Sequence, residues 1–166
     1  MKSIRFLAIV AAFSVILLDS SQGFPFHASC HITWNFGIPC SQVSSQLVKQ
    51  IRKWSTSSCA PSARESCNYK LLSASSTQIR ASHATPVHRY VDDLTFLFFP
   101  SKTSSTCMSK GYSKSTIFFA ILDKGTNYCN MHNLITGSGL DKVPEYKETT
   151  SNSICTQYSS NNCTYY

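Results

Sequence analysis

The chain has 166 residues, 42% of them hydrophobic and only 14% charged, with 15 Lys and Arg against 8 Asp and Glu. That length suits one domain and the apolar fraction is enough to build a core, which excludes a disordered tail and a multidomain enzyme. No collagen-like, coiled-coil or repeat pattern occurs.

Lys2 and Arg5 precede an uncharged run from Phe6 to Leu18, and Ser21-Gln22-Gly23 then places small residues where a signal peptidase inspects the chain. Residues 1–23 read as a signal peptide, because the apolar run is shorter than the roughly 20 residues that a membrane-crossing helix needs. Residues 24–166 are then expected to form a single disulfide-rich secreted domain, with 141–166 a loop-rich tail. The later apolar runs, Leu94 to Phe99 and Ile117 to Leu122, read as core segments, so no membrane span is expected. Loss of Lys2, Arg5 and Asp19 leaves 13 basic and 7 acidic residues, a charge of +6. Such a surface keeps a secreted protein in solution or attracts anionic surfaces. The densest basic group is Lys49, Arg52 and Lys53, and no arginines interleave with aromatics, so nucleic acid is not an expected partner.

All eight cysteines lie after residue 23: Cys30, Cys40, Cys59, Cys67, Cys107, Cys129, Cys155 and Cys163. An even number behind a signal peptide reads as four disulfides, whose pairing the sequence leaves open. Cys59 with Cys67 and Cys155 with Cys163 each enclose a short polar loop that can close on itself, and Cys59 with Cys67 is the first choice. The remaining bridges should tie the N-terminal segment and the tail to the sheet. The spacings are too wide for a zinc knuckle, and neither a metal nor a cofactor is expected.

Along the chain, Val43, Leu47, Val48, Ile51 and Trp54 recur at helical spacing, which predicts a helix over 41–54 with Ser41 as its cap. Tyr69 to Ala84 is long enough for two strands with a turn near Ser75-Ser76. Leu94, Phe96 and Phe98 alternate as the inward residues of a strand that Pro100 closes. Lys102 to Thr106 reads as a turn and Cys107 to Ser115 as the next antiparallel strand. Asp123-Lys124-Gly125-Thr126-Asn127 is a turn opening a short helix over 127–135, capped by Thr126 or Asn127 and stopped by Gly137-Ser138-Gly139. The expected fold is α+β: a small antiparallel sheet of three to four strands packed against one main helix and a short second helix, stapled by disulfides.

Tyr90-Val91-Asp92-Asp93-Leu94-Thr95-Phe96, Tyr112-Ser113-Lys114-Ser115 and Asp123-Lys124-Gly125-Thr126-Asn127 occur in the order in which a bacterial and plastid family of unknown function, number fourteen-ninety-nine, carries similar segments. The likeness is distant and covers roughly residues 69–135. The chain also resembles uncharacterised secreted cysteine-rich proteins of aquatic animals, over nearly all of its length after residue 23. The bacterial family's arginines after the serine strand and after the Asn are replaced here by Lys114, Ser115, Tyr128 and Cys129. The resemblance therefore implies a helix-plus-sheet fold more than a function.

Asp92-Asp93 is the most suggestive polar pair. Neighbours on a strand point to opposite faces, which argues against a paired-carboxylate site and for one Asp that accepts backbone N–H bonds. His83, His88 and His132 are scattered, without HExxH or comparable spacing, so no catalytic residue is expected. Asp92, Asp93, His83, His88 and Asn127 remain the candidates for a ligand or polar site. Phe96, Phe98, Phe99, Phe118, Phe119 and Tyr112 read as core. The favoured function is a non-enzymatic extracellular binding or structural module. One alternative is a carrier that holds a small apolar ligand between sheet and helix, lined by the Phe cluster and Trp54; a second is a hydrolase using His83, His88 and Asp92 or Asp93. Asn162-Cys163-Thr164 fits the glycosylation sequon, with a cysteine in the middle that restricts access if bridged.

Overall fold

In a computed structural model the structure describes residues 27–57, 59, 65–117 and 122–164. The leader read over 1–23 lies outside the described residues. Six antiparallel strands form one sheet: β1 (Ser29–Phe36), β2 (Tyr69–Ala74), β3 (Gln78–Ala84), β4 (Val91–Pro100), β5 (Cys107–Ser115) and β6 (Lys147–Thr149), in the order β2-β3-β4-β5-β1-β6. Helices α1 (Cys40–Lys53) and α2 (Thr126–Gly137) cover one face. The α+β class and the run from β2 to β5 agree with the sequence reading, and the sheet is larger than the three to four strands expected. The two extra strands are β1 and the three-residue β6, which arises from the tail read as loop.

Alternation explains which face is buried. Cys30, Ile32, Trp34 and Phe36 of β1, Ile79 and Ala81 of β3, and Leu94, Phe96 and Phe98 of β4 point inward. Against them α1 sets Val43, Leu47 and Ile51, and α2 sets Met131, Leu134 and Ile135. Phe99 departs from the expected core: it follows Phe98 on the strand, so it faces outward and is 41% exposed. Tyr112 also faces outward, on β5, and Phe118 and Phe119 lie outside the described residues.

Helix α1 starts one residue earlier than predicted, after Pro39, and Ser41 makes no cap bond. At α2 the cap position falls to Gly125, whose φ of 80° is the left-handed region that glycine adopts at little cost. The capping is done by Asp123 instead, which accepts N–H bonds from Gly125 (3.1 Å) and Asn127 (3.0 Å). The β2–β3 turn falls where expected, with Ser75 Oγ accepting from the Thr77 and Gln78 amides.

Four disulfides close the structure: Cys30–Cys155, Cys40–Cys107, Cys59–Cys67 and Cys129–Cys163. The first choice, Cys59–Cys67, is present. Cys155 and Cys163 do not pair with each other; they bind the tail to β1 and to α2, so each closes a longer loop than the short one considered. Cys40–Cys107 joins the start of α1 to β5. In the chain-entropy account each long-range bridge contributes about 4–5 kcal/mol by restricting the unfolded chain.

Gly111 on β5 is required by packing rather than by backbone angle. A Cβ there would stand 2.4 Å from the Trp34 ring and 2.9 Å from Met131 Sδ. Gly111→Ala is expected to lower unfolding stability by about 1–3 kcal/mol in a denaturant titration, and an unchanged midpoint would mean that the Trp34 ring does not cross this strand. Non-reducing peptide mapping should recover the four pairs above, with no peptide joining Cys155 to Cys163.

Candidate functional site

Two polar clusters lie between the helices and the sheet. The first gathers residues from β2, β3, β4, β5 and α2. His83 on β3 and Asp92 on β4 are direct cross-strand partners, 0% and 5% exposed. Above them, α2 turns Asn127 and Asn130 inward, three residues apart and so on one side of the helix. Asn130 Nδ2 donates to Asp92 Oδ2 (2.7 Å), while the Asn130 carbonyl accepts from Tyr69 Oη of β2 (2.9 Å). Asn127 donates to the Asp123 carboxylate (2.8 Å) and to the Ala28 carbonyl (3.3 Å), and accepts from Ser113 Oγ. His83 Nε2 lies 3.1 Å from the Glu65 carbonyl.

Asp92 therefore accepts from a side-chain amide, in place of the backbone N–H bonds expected of it, and the carboxylate that does accept them is Asp123. Asp93 faces the other side of the sheet, opposite Lys114. His88 lies on the exposed turn before β4, stacked on Tyr90 with ring centroids 5.2 Å apart. The structure thus unites His83, Asp92 and Asn127 in one buried layer and leaves Asp93 and His88 on the surface. Asn162 is exposed, accepts from Thr164 Oγ1 (2.6 Å), and stands beside a bridged Cys163.

Burial sets the chemistry of this layer. It is the main reason that Glu65 titrates near 7, with the charge of Asp92 adding to it. Burial raises Asp92 to about 6 against the opposing hydrogen bonds from Asn130 and Ser115. It also lowers His83 to about 4, despite hydrogen bonds that favour the cation. Neutral imidazole and protonated carboxyls are the forms that this interior prefers.

The second cluster was not found from sequence. Glu148 on β6 accepts from Trp34 Nε1 (2.8 Å), Tyr128 Oη (2.6 Å) and Tyr146 Oη (3.2 Å), and pairs with His132 Nδ1 (3.1 Å). Burial alone would raise its pKa, but the hydrogen bonds from His132, Tyr128 and Trp34 outweigh it and bring the carboxyl down to about 2. His132, the third of the scattered histidines, belongs here. The signal available in the sequence is weak: Glu148 is one of two glutamates, with Glu145, in a polar tail.

An open groove of about 400 Å³ runs beside the end of α1 and the start of β2, lined by Ser55, Thr56, Asn68, Tyr69, Lys70 and Arg89. Arg89 is held there by Asn68 Oδ1 (2.8 Å). Among the described residues no group of three or more His, Cys, Asp and Glu is placed to hold a metal ion, and no helix is long and apolar enough to cross a membrane. No family model matches the chain, and no curated protein matches it.

Stability should report both clusters. Glu65 and Asp92 are raised in the folded chain, so the folded state holds more protons than the unfolded one and loses stability as pH rises from about 4 to about 7. His83, lowered by folding, acts oppositely, losing stability as pH falls from about 6.5 to about 4. With two carboxyls against one imidazole, stability is expected to decline across pH 5–7, and Asp92→Asn to flatten that decline; equal slopes would contradict the assignment. Glu148 is depressed, so its contribution is present above about 4.5 and lost as pH falls toward 2. Glu148→Gln is expected to cost about 2 kcal/mol at neutral pH, measured by chemical denaturation.

Proposed function

We propose that the chain is a secreted, non-catalytic binding module whose buried polar layer serves the fold and whose exposed surface serves recognition. The observation that carries this reading is the closure of the layer: His83, Asn127 and Asn130 are at most 1% exposed, and the carboxyl beside them is hydrogen-bonded to Asn130. A general acid or base must reach the proton that it moves, and these groups face one another. The four disulfides support an oxidising compartment, in keeping with a leader over residues 1–23 and with the likeness to secreted cysteine-rich proteins. The distant likeness to family fourteen-ninety-nine is part of the same proposal at the level of fold. The inward Phe96 and Phe98 pack into the core cluster, which favours a filled interior over a ligand-carrying cavity.

Native mass spectrometry of the protein secreted from animal cells tests this reading. The expected mass is that of a chain beginning at Phe24, eight hydrogens below its reduced form because of the four bridges, with no retained small molecule. A co-purified apolar compound would replace it with the carrier reading, and free thiols would remove the disulfide framework.

A further inference from the structure

The helices cover one face of the sheet, and the alternate residues of all six strands form the other. The register fixes their arrangement. One row crosses the sheet as Arg80, Thr95, Tyr112 and His31, and the next as Gln78, Leu97, Lys110 and Thr33. A flanking row places Lys114 between Asp93 and Ser29. The charged side chains that point to this face are Lys70, Arg80, Lys110, Lys114 and Lys147, against Asp93 as the one carboxylate. Tyr112 and His31 lie against each other with centroids 4.4 Å apart, at the middle of the basic set, and Lys110 Nζ sits 5.6 Å over the Phe99 ring.

On the reading of the chain as a secreted binding module, we propose that this open face binds a linear sulfated polysaccharide. Charge complementarity selects a polyanion. Lys110 and Lys114, four residues apart on one strand, are separated by about 13 Å, and Arg80 lies about 10 Å from Tyr112 across two strand spacings. That is an extended array suited to repeated charges along a polymer, not a pocket for one ion. Thr33, Thr95 and Gln78 between the cations offer hydroxyl and amide partners for sugar hydroxyls, and the Tyr112–His31 pair offers a flat surface for a sugar ring. Single-stranded nucleic acid would call for successive aromatic platforms, of which the face has one such pair. An anionic membrane would call for several apolar side chains that insert together beyond the charges, whereas the exposed apolar residues of β4 on this face, Val91 and Phe99, stand at opposite ends of the strand.

The test is calorimetric titration of the disulfide-bonded chain with a heparin octasaccharide, with its desulfated form, with single-stranded DNA, and with phosphatidylserine vesicles. The octasaccharide is expected to bind tightest and to weaken as salt is raised above about 0.1 M. Lys110→Glu with Lys114→Glu should weaken it about tenfold or more, while the same charge change on the opposite side of the molecule, Lys49→Glu with Lys53→Glu on α1, should alter it about twofold or less. Equal losses in the two double variants would overturn the site, since only net charge would then matter. Equal binding of the desulfated sugar, or tighter binding of DNA or vesicles, would overturn the ligand class and leave the binding-module reading standing. Shortened oligosaccharide products would overturn the non-catalytic reading itself.

Discussion

The structure depends on how Trp34 is held in β1. Its ring is wholly buried, lies over the bare backbone of Gly111 on the neighbouring strand, and stacks near Phe96 with centroids 6.0 Å apart. Its indole N–H, which would be costly to bury unpaired, donates to Glu148 on the other neighbouring strand. One side chain therefore joins β4, β5 and β6 to β1. Cys30–Cys155 repeats the same connection covalently a few residues away, so the first described strand and the tail are fixed as one unit.

From that seam the interface between helices and sheet divides in two. Around Trp34, Leu47, Ile51 and Leu134 it is apolar, and burial supplies the driving force. Toward the start of α2 it becomes polar, with Asn127 and Asn130 meeting Ser113, Asp92 and Tyr69. The bonds that Asn130 makes to Asp92, and that Asn127 makes to Ser113 and the Ala28 carbonyl, tie α2 to the strands at this point. The same alternation that turns His83 and Asp92 into the layer turns Arg80, Asp93 and Lys114 outward. The closed layer and the open basic face are therefore two consequences of one strand pattern.

How much of this was legible in the sequence follows from the kind of signal each element emits. Helix α1 shows a clean apolar stripe, and β4 a clean alternation, so both were readable. The strand β1 also alternates, as Cys30, Ile32, Trp34 and Phe36 show, but its outward positions are Ser, His, Thr and Asn beside two cysteines that drew the reading toward bridges. The strand β6 is three residues long, too short for any period, and exists because Glu148 has Trp34 to accept from. The cap of α2 lies before the Thr126 and Asn127 that the sequence suggests, because the Asp123 carboxylate reaches forward past Gly125 to the Asn127 amide. Asp92 was singled out for its chemistry, yet its partner, Asn130, lay inside a helix where an asparagine reads as solvent-facing. The partners of Cys155 and Cys163, Cys30 and Cys129, are set by contacts across the whole fold, which short loop length cannot report.

The most direct measurement is amide hydrogen exchange resolved along the strands. If β1 is an interior strand locked between β5 and β6, the amides of Ile32 and Trp34 should exchange as slowly as those of Leu94 and Phe96 in β4, through global unfolding. Exchange of Ile32 and Trp34 at the rate of the exposed turns, while β4 stays protected, would contradict the account.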